Sequence, residues 1–225
     1  MSESLTAKRV VIVGGSGVLG AEFARQLREA GARVGLLARQ VASIPSDLQD
    51  LVHAKVDIGN RDDLARALRE VAAEGIDGII NAAGVVAFGS LHELPSSVVE
   101  ELFRVNAVGT INVLACGADV VEEGGFIVSL SGVAADMTVL NMSAYCASKS
   151  AAHVAMAVGA RELRSKKISV LDVRAPHTET GLTDRALWGS APTMPPGLAP
   201  SVLVTRVLSA VTNGERDLPA DSFST

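Results

Sequence analysis

A doubly wound α/β domain, three αβα layers deep around a parallel sheet, is predicted by three features of the 225-residue sequence. Short runs rich in Val, Ile and Leu alternate with segments of helical periodicity along the whole chain. The composition is 48% hydrophobic but only 3% aromatic, which suits Ala- and Gly-rich helices lying close against a sheet buried on both faces. No repeat or low-complexity tract interrupts the pattern. Length alone allows one large domain or two small ones, and the unbroken alternation predicts a single domain over residues 1–225.

The first strand is the apolar run Lys8–Val13, followed by Gly14-Gly15-Ser16-Gly17-Val18-Leu19-Gly20 and an amphipathic helix to Ala30. A strand, a glycine turn and a helix in this order can hold a pyrophosphate: the glycines admit close backbone approach, and the helix N-terminus offers unpaired N–H groups. A tight strand–helix connection that binds nothing has the same residues. The second strand, Arg33–Leu37, ends in Ala38-Arg39-Gln40. Dinucleotide sites for an unphosphorylated ribose place an acid there. Arg39 instead either holds a 2′-phosphate or is a solvated surface charge, and the first alternative predicts NADP(H) in preference to NAD(H).

Val52–Ile58 reads as the third strand, after which Asn60 caps a helix running through Val71. Asp57 either reaches an adenine amine or closes the loop. Gly78–Gly84 is the fourth strand and its exit, and the small residues of Asn81-Ala82-Ala83-Gly84 leave room for a ligand where the strand order reverses. The helix from about Ser96 to Asp119 carries Asn106 in apolar surroundings, where it holds a water, distorts the backbone, or is a buried amide satisfied by its neighbours. Gly125–Gly132 is the fifth strand and Ile168–Pro176 the sixth. Residues 177–200 carry four prolines and Trp188, the one tryptophan; such a segment is a surface loop or a lid, and its place after the sixth strand predicts a lid. A last helix, Ala199–Thr212, precedes the tail Arg216-Asp217-Leu218.

In Ser143–Ala152, Tyr145 and Lys149 lie four residues apart in an Ala-rich, helix-favouring run and share one helix face. An ammonium beside a phenol favours the phenolate, bringing a group of pKa about 10 into useful proton exchange. The same spacing also arises by chance in Ala-rich helices.

The glycine turn, Asn81-Ala82-Ala83-Gly84, Asn106, a serine before the loop at 133–142, Tyr145-x-x-x-Lys149 and the Pro176 strand exit follow one another in a familiar order. Over nearly its whole length the sequence resembles the short-chain dehydrogenase/reductase family. The resemblance implies a Rossmann-type fold that moves hydride between a nicotinamide cofactor and a carbonyl or secondary alcohol. It implies Tyr145 as general acid/base, Lys149 as the group that lowers its pKa and binds the nicotinamide ribose, Ser131 as the donor orienting the substrate oxygen, and Asn106 as the holder of a water. Gly14, Ser16, Gly17, Val18, Leu19 and Gly20 would line the pyrophosphate and Asp57 and Ile58 the adenine. Asn81, Ala82, Ala83 and Gly84 would line the central cofactor, and Pro176 and Thr178 the nicotinamide end.

The sequence departs from the family pattern in four places. Val18 takes the middle glycine position of the usual turn. Gly132 stands where many members carry the serine, thirteen residues before the tyrosine, with Ser131 one residue earlier; adjacent strand residues point to opposite faces, so the shift needs compensation. Pro176-His177 replaces Pro-Gly. The resemblance implies a homodimer or a homotetramer, and because the tail lacks the glycine-rich ending associated with tetramers, a dimeric or altered assembly is expected.

A net charge of −5 and the lack of a Lys/Arg-rich run argue against nucleic acid or an anionic membrane as partner. No apolar stretch approaches the ~20 residues of a membrane span. Two cysteines, Cys116 and Cys146, and a polar opening predict a cytoplasmic protein with free thiols. No metal is expected. Met137, Val139, Leu140, Met142 and Trp188 would form an apolar pocket, predicting a hydrophobic ketone, aldehyde or secondary alcohol as substrate. The rival reading is a catalytically idle nucleotide-binding sensor or scaffold, favoured by Val18 and Gly132. A cofactor-cycling epimerase or dehydratase matches the glycine spacing but normally carries an added substrate domain.

Overall fold

A computed structural model describes residues 4–224. Seven strands, β1 (Arg9–Val13), β2 (Arg33–Ala38), β3 (Val52–Lys55), β4 (Ile76–Asn81), β5 (Val121–Leu130), β6 (Ser169–Val173) and β7 (Asp217–Leu218), form one sheet in the order β3-β2-β1-β4-β5-β6-β7. All neighbouring pairs are parallel. The helices are α1 (Val18–Glu29), α2 (Arg61–Val71), α3 (Ser96–Leu102), α4 (Gly109–Val120), α5 (Ser143–Glu162) and α6 (Pro200–Thr212).

Both faces of a parallel sheet are covered, so its strands need apolar side chains in either direction. Val10 and Ile12 of β1 pack toward α1 and α6, while Val11 and Val13 pack toward α2, α4 and α5. α2 starts on Asn60, whose side chain accepts from the Asp63 N–H at 3.1 Å, as the sequence predicts. α1 starts on Gly17 with no capping side chain, which leaves its first N–H groups to other partners.

Several elements differ from the sequence reading. β3 ends at Lys55, because Asp57 turns the chain: its N–H donates to Asp63 at 2.6 Å and its carboxylate accepts from the Gly59 N–H. The expected long helix is broken between α3 and α4 by a π-helical turn, Phe103–Val108, which holds Asn106. β5 starts at Val121 with a register shift opposite Ile76 and Gly78. The tail joins the sheet as β7, pairing Asp217 with Asp172 and Leu218 with Val173.

Strand order reverses between β1 and β4, which opens a crevice at their C-terminal ends. The glycine turn and the β4 exit form its two rims.

Candidate active site

The two rims touch. Gly14 has φ +90°, and a Cβ there would lie 2.7 Å from the Ala83 nitrogen. A Cβ on Gly20 would lie 2.2 Å from the Gly14 carbonyl oxygen, whereas one on Gly17 would meet only that oxygen, at 3.4 Å. The turn is therefore tight against the protein at Gly14 and Gly20 and open at Gly17. A backbone cradle at an uncapped helix N-terminus fits the pyrophosphate of a dinucleotide. Val18 is exposed at the helix start, Ser16 is partly buried, and Leu19 leans on the core.

At the far end of the crevice, Arg39 is exposed and lies 3.4 Å from Glu101 of α3. Arg104 bonds Glu101 through Nε at 2.6 Å and Asp57 Oδ2 through Nη1 at 2.7 Å, and the Arg104 guanidinium holds the Asp57 carboxyl below its usual range. Ile58 is 6% exposed within the core. In this structure the Asp57 carboxylate is engaged by Arg104 and the Ile58 side chain packs into the core. Neither Arg104 nor Glu101 was marked by the sequence: they lie three residues apart, but their links to Asp57 and Arg39 cross 47 and 62 residues.

Asn81 is also turned inward. Its Nδ2 donates to Ser129 Oγ at 3.1 Å and Thr110 Oγ1 at 3.4 Å, and its Oδ1 accepts from the Ala83 N–H at 3.2 Å. It ties β4 to β5 and α4, and leaves Ala82, Ala83 and Gly84 to form the wall.

Beyond this wall stands α5. Lys149 is 7% exposed and donates from Nζ to the Leu130 carbonyl at 2.9 Å, with Nζ 6.0 Å from the Tyr145 ring centroid. A Cβ on Gly84 would lie 3.3 Å from that ammonium and 3.5 Å from Asn106 Oδ1. Asn106 accepts from the Val85 N–H at 3.0 Å and donates to the Val85 carbonyl at 2.9 Å and to Ser148 Oγ at 3.0 Å. Both its amide hydrogens are used, so its side chain clamps the β4 exit to α5. That is the buried-amide alternative combined with backbone distortion. Ser148 donates onward to the Tyr145 carbonyl at 2.8 Å and, although adjacent to Lys149, was overlooked in the sequence.

Ser131 does not join this group. It is fully buried, and its Oγ finds no hydrogen-bond partner among the described residues. Gly132, with φ +79°, follows with no side chain to offer. The hydroxyl is enclosed in this structure and makes no contact through which it would orient a substrate oxygen. Removing an unsatisfied buried hydroxyl relieves a desolvation cost of about 1–3 kcal/mol. Ser131→Ala is expected to leave turnover within about twofold and to raise the unfolding midpoint, as read by thermal denaturation beside an activity assay.

Pro176 and Thr178 follow the end of β6, and the Thr178 hydroxyl donates to the Pro176 carbonyl at 2.9 Å. The segment after it is fastened at both ends: Thr178 bridges Leu198, Leu187 N–H donates to Val86, and Phe88 N–H donates to Trp188. Beneath Trp188 lies a cavity of about 640 Å³ lined by Phe88, Leu140, Pro192, Asn141 and Glu93 among others. Leu140 and Trp188 are there as expected; Met137, Val139 and Met142 are not among its lining residues, and Glu93 brings a carboxylate that the sequence reading did not place there. Among the described residues no three His, Cys, Asp or Glu side chains are grouped to hold a metal, and no helix is long and apolar enough to cross a membrane.

Burial sets the proton affinities at α5. It pushes the Tyr145 phenol up to about 12 and the Lys149 ammonium down to about 8, against the pull of Asp172 on the lysine. Desolvation is the largest influence on the phenol and acts against the lowering by Lys149 that the sequence predicts. Between about 8 and 10.5, the folded and ordinary values of the lysine, the unfolded chain binds more protons, so stability rises with pH. Tyr145 acts oppositely above 10.0, its ordinary value. Urea unfolding at about pH 7.5 and about pH 9.5 is expected to show the wild type gaining on the order of 2 kcal/mol relative to Lys149→Met.

A glycine turn at a helix N-terminus and a buried lysine beside a tyrosine, placed where the strand order of a parallel sheet reverses, are the site of a nicotinamide-dependent oxidoreductase. The chain matches the short chain dehydrogenase family over residues 8–187 and belongs to it. It is 29% identical over 200 residues to the vibriobactin-specific 2,3-dihydro-2,3-dihydroxybenzoate dehydrogenase of Vibrio cholerae, covering 82% of this chain and 75% of that one. It is 28% identical to human L-xylulose reductase, over 82% of this chain and 77% of the other. Among solved structures, a short chain dehydrogenase from Burkholderia cenocepacia in complex with NADP aligns with a TM-score of 0.84 at 24% identity, over 97% and 90% of the two chains, and shows the same fold.

Proposed function

We propose that the protein transfers hydride between NADP(H) and an apolar carbonyl or secondary alcohol, with Tyr145 as general acid/base. The observation that carries this reading is the meeting of Gly84, Lys149 and Asn106 beside Tyr145 at the end of a glycine-lined crevice. The cofactor supplies or accepts the hydride. Tyr145 gives its phenolic proton to the developing alkoxide in reduction and takes it back in oxidation; Lys149 binds the nicotinamide ribose; Asn106 and Ser148 hold α5 against the crevice wall. Gly14, Ser16, Gly17, Val18, Leu19 and Gly20 cradle the pyrophosphate, while Pro176 and Thr178 bound the nicotinamide.

NADP(H) is preferred because Arg39, directly after β2, has no acid beside it in sequence and, among the described residues, only the rim contact to Glu101 at 3.4 Å in space, and a guanidinium gains most from a phosphate. The similar structures include one described in complex with NADP, another with NADPH and another with NAD. Arg39→Ala is expected to weaken NADPH about tenfold, or about 1.4 kcal/mol, and to leave NADH within about twofold. An equal loss for both nucleotides would move the preference elsewhere.

Phe88, Leu140, Pro192 and Trp188 support an apolar substrate under a lid formed by residues 177–200. Exposed Ile111, Val154 and Val158 on α4 and α5 support a homo-oligomer formed through those helices. The buried free thiols of Cys116 and Cys146 suit the cytoplasm. The test of the whole reading is NADPH consumption with a panel of apolar ketones and aldehydes, expected to give turnover with at least one. The enclosed Ser131 and bare Gly132 favour a second reading, a nucleotide-binding sensor without turnover; a relative in Escherichia coli is named a cyclic-di-GMP-binding biofilm dispersal mediator. Nucleotide binding with no turnover across the panel would support it.

A further inference from the structure

Under α5 lies a charged cluster that the reaction leaves unused. His153, one turn after Lys149, places Nδ1 2.5 Å from Asp172 Oδ2 on β6. Arg174 lies 3.4 Å from the same oxygen, bonds Asp217 of β7 at 2.6 and 2.8 Å, and reaches Asp136 of the β5–α5 loop at 2.6 Å. Asp172 is 5% exposed, and its other oxygen, Oδ1, is buried with no partner among the described residues.

A buried carboxylate with an orphan oxygen is costly unless a cation answers it. Arg174 is divided among three carboxylates, and His153 meets the opposite oxygen. The next cation on that helix face is Lys149. Sheet register pairs Asp172 with Ser129, the neighbour of the Leu130 whose carbonyl holds the Lys149 ammonium. Asp172 also opposes the effect of burial on that lysine. The groups facing the cluster are Tyr145, Cys146, Lys149 and His153 from α5, Arg174 from β6, Asp217 from β7 and Asp136 from the loop; Ser129 and Leu130 of β5 bring no charge.

We propose that Asp172 is a positioning residue that keeps Lys149 charged and in place beside Tyr145, with His153 and Arg174 holding Asp172 in turn. The inference rests on the acid/base reading of Tyr145 and Lys149. Its test is a pH titration of the Lys149 side chain by heteronuclear NMR on isotopically labelled lysines, the signal being identified by its loss in Lys149→Met. Asp172→Asn is expected to lower the Lys149 midpoint by about one pH unit, and Asp172→Glu to restore most of it. Asp217→Asn, which loosens the same Arg174 without uncovering Lys149, is expected to leave the midpoint in place. If Asp172→Asn fails to fold, Asp172→Ser, which removes the charge along with most of its need for partners, replaces it. An unchanged midpoint, or equal shifts in the Asp172 and Asp217 variants, would overturn the proposal. Failure of the acid/base reading shows separately, as undiminished turnover in Tyr145→Phe, because the lysine midpoint is read without substrate.

Discussion

Tyr145→Phe is expected to lower carbonyl reduction about 10²- to 10⁴-fold while NADPH affinity stays within about twofold, measured by steady-state turnover and calorimetry on the same preparation. The substitution removes one oxygen from a ring that packs at the head of α5. The fold has little reason to notice, since no hydrogen bond of the phenol holds another element. The loss falls on proton delivery alone. An enzyme in which Tyr145→Phe turned over normally would need a different acid.

The second large effect belongs to the glycine turn, where two neighbouring glycines are expected to behave differently. A Cβ at Gly20 would sit 2.2 Å from the Gly14 carbonyl oxygen, so Gly20→Ala must open the turn. NADPH affinity is expected to fall about 100-fold or more, with a stability loss of about 1–3 kcal/mol. At Gly17 a methyl group would meet the protein only at 3.4 Å, on ordinary backbone with φ −82°. Gly17→Ala is therefore expected to leave stability within about 0.5 kcal/mol and still weaken NADPH, because the methyl group occupies the face a phosphate must approach. Calorimetric titration beside urea unfolding separates the two effects.

Much of this was legible in the chain. β1, the glycine turn, α1 and the Tyr145–Lys149 helix are written in local spacing, and local spacing survives folding. The Asn60 cap was equally readable, because its partner Asp63 lies three residues on. β7 was not: two paired residues carry no period, and they are a strand only because β6 has a free edge beside them. The π-helical turn was hidden for a related reason, since Asn106 is held there by Val85 and Ser148, both distant in sequence. Ser131 shows the limit most plainly. Sequence counts residues, whereas a strand end chooses faces, and the hydroxyl at that position went inside. The charges of Asp57, Asp172 and Arg174 could be counted but not paired, because each found its partner across tens of residues.

The most direct test of the central claim is a calorimetric titration of the wild-type protein with NADPH and NADH side by side. Saturable one-to-one binding, with NADPH tighter by about tenfold, is the predicted result and supports the glycine cradle together with Arg39. Tighter NADH would keep the oxidoreductase and overturn the role given to Arg39. If neither nucleotide bound, the crevice between β1 and β4 would not be a cofactor site, and the account of this protein built on it would be contradicted.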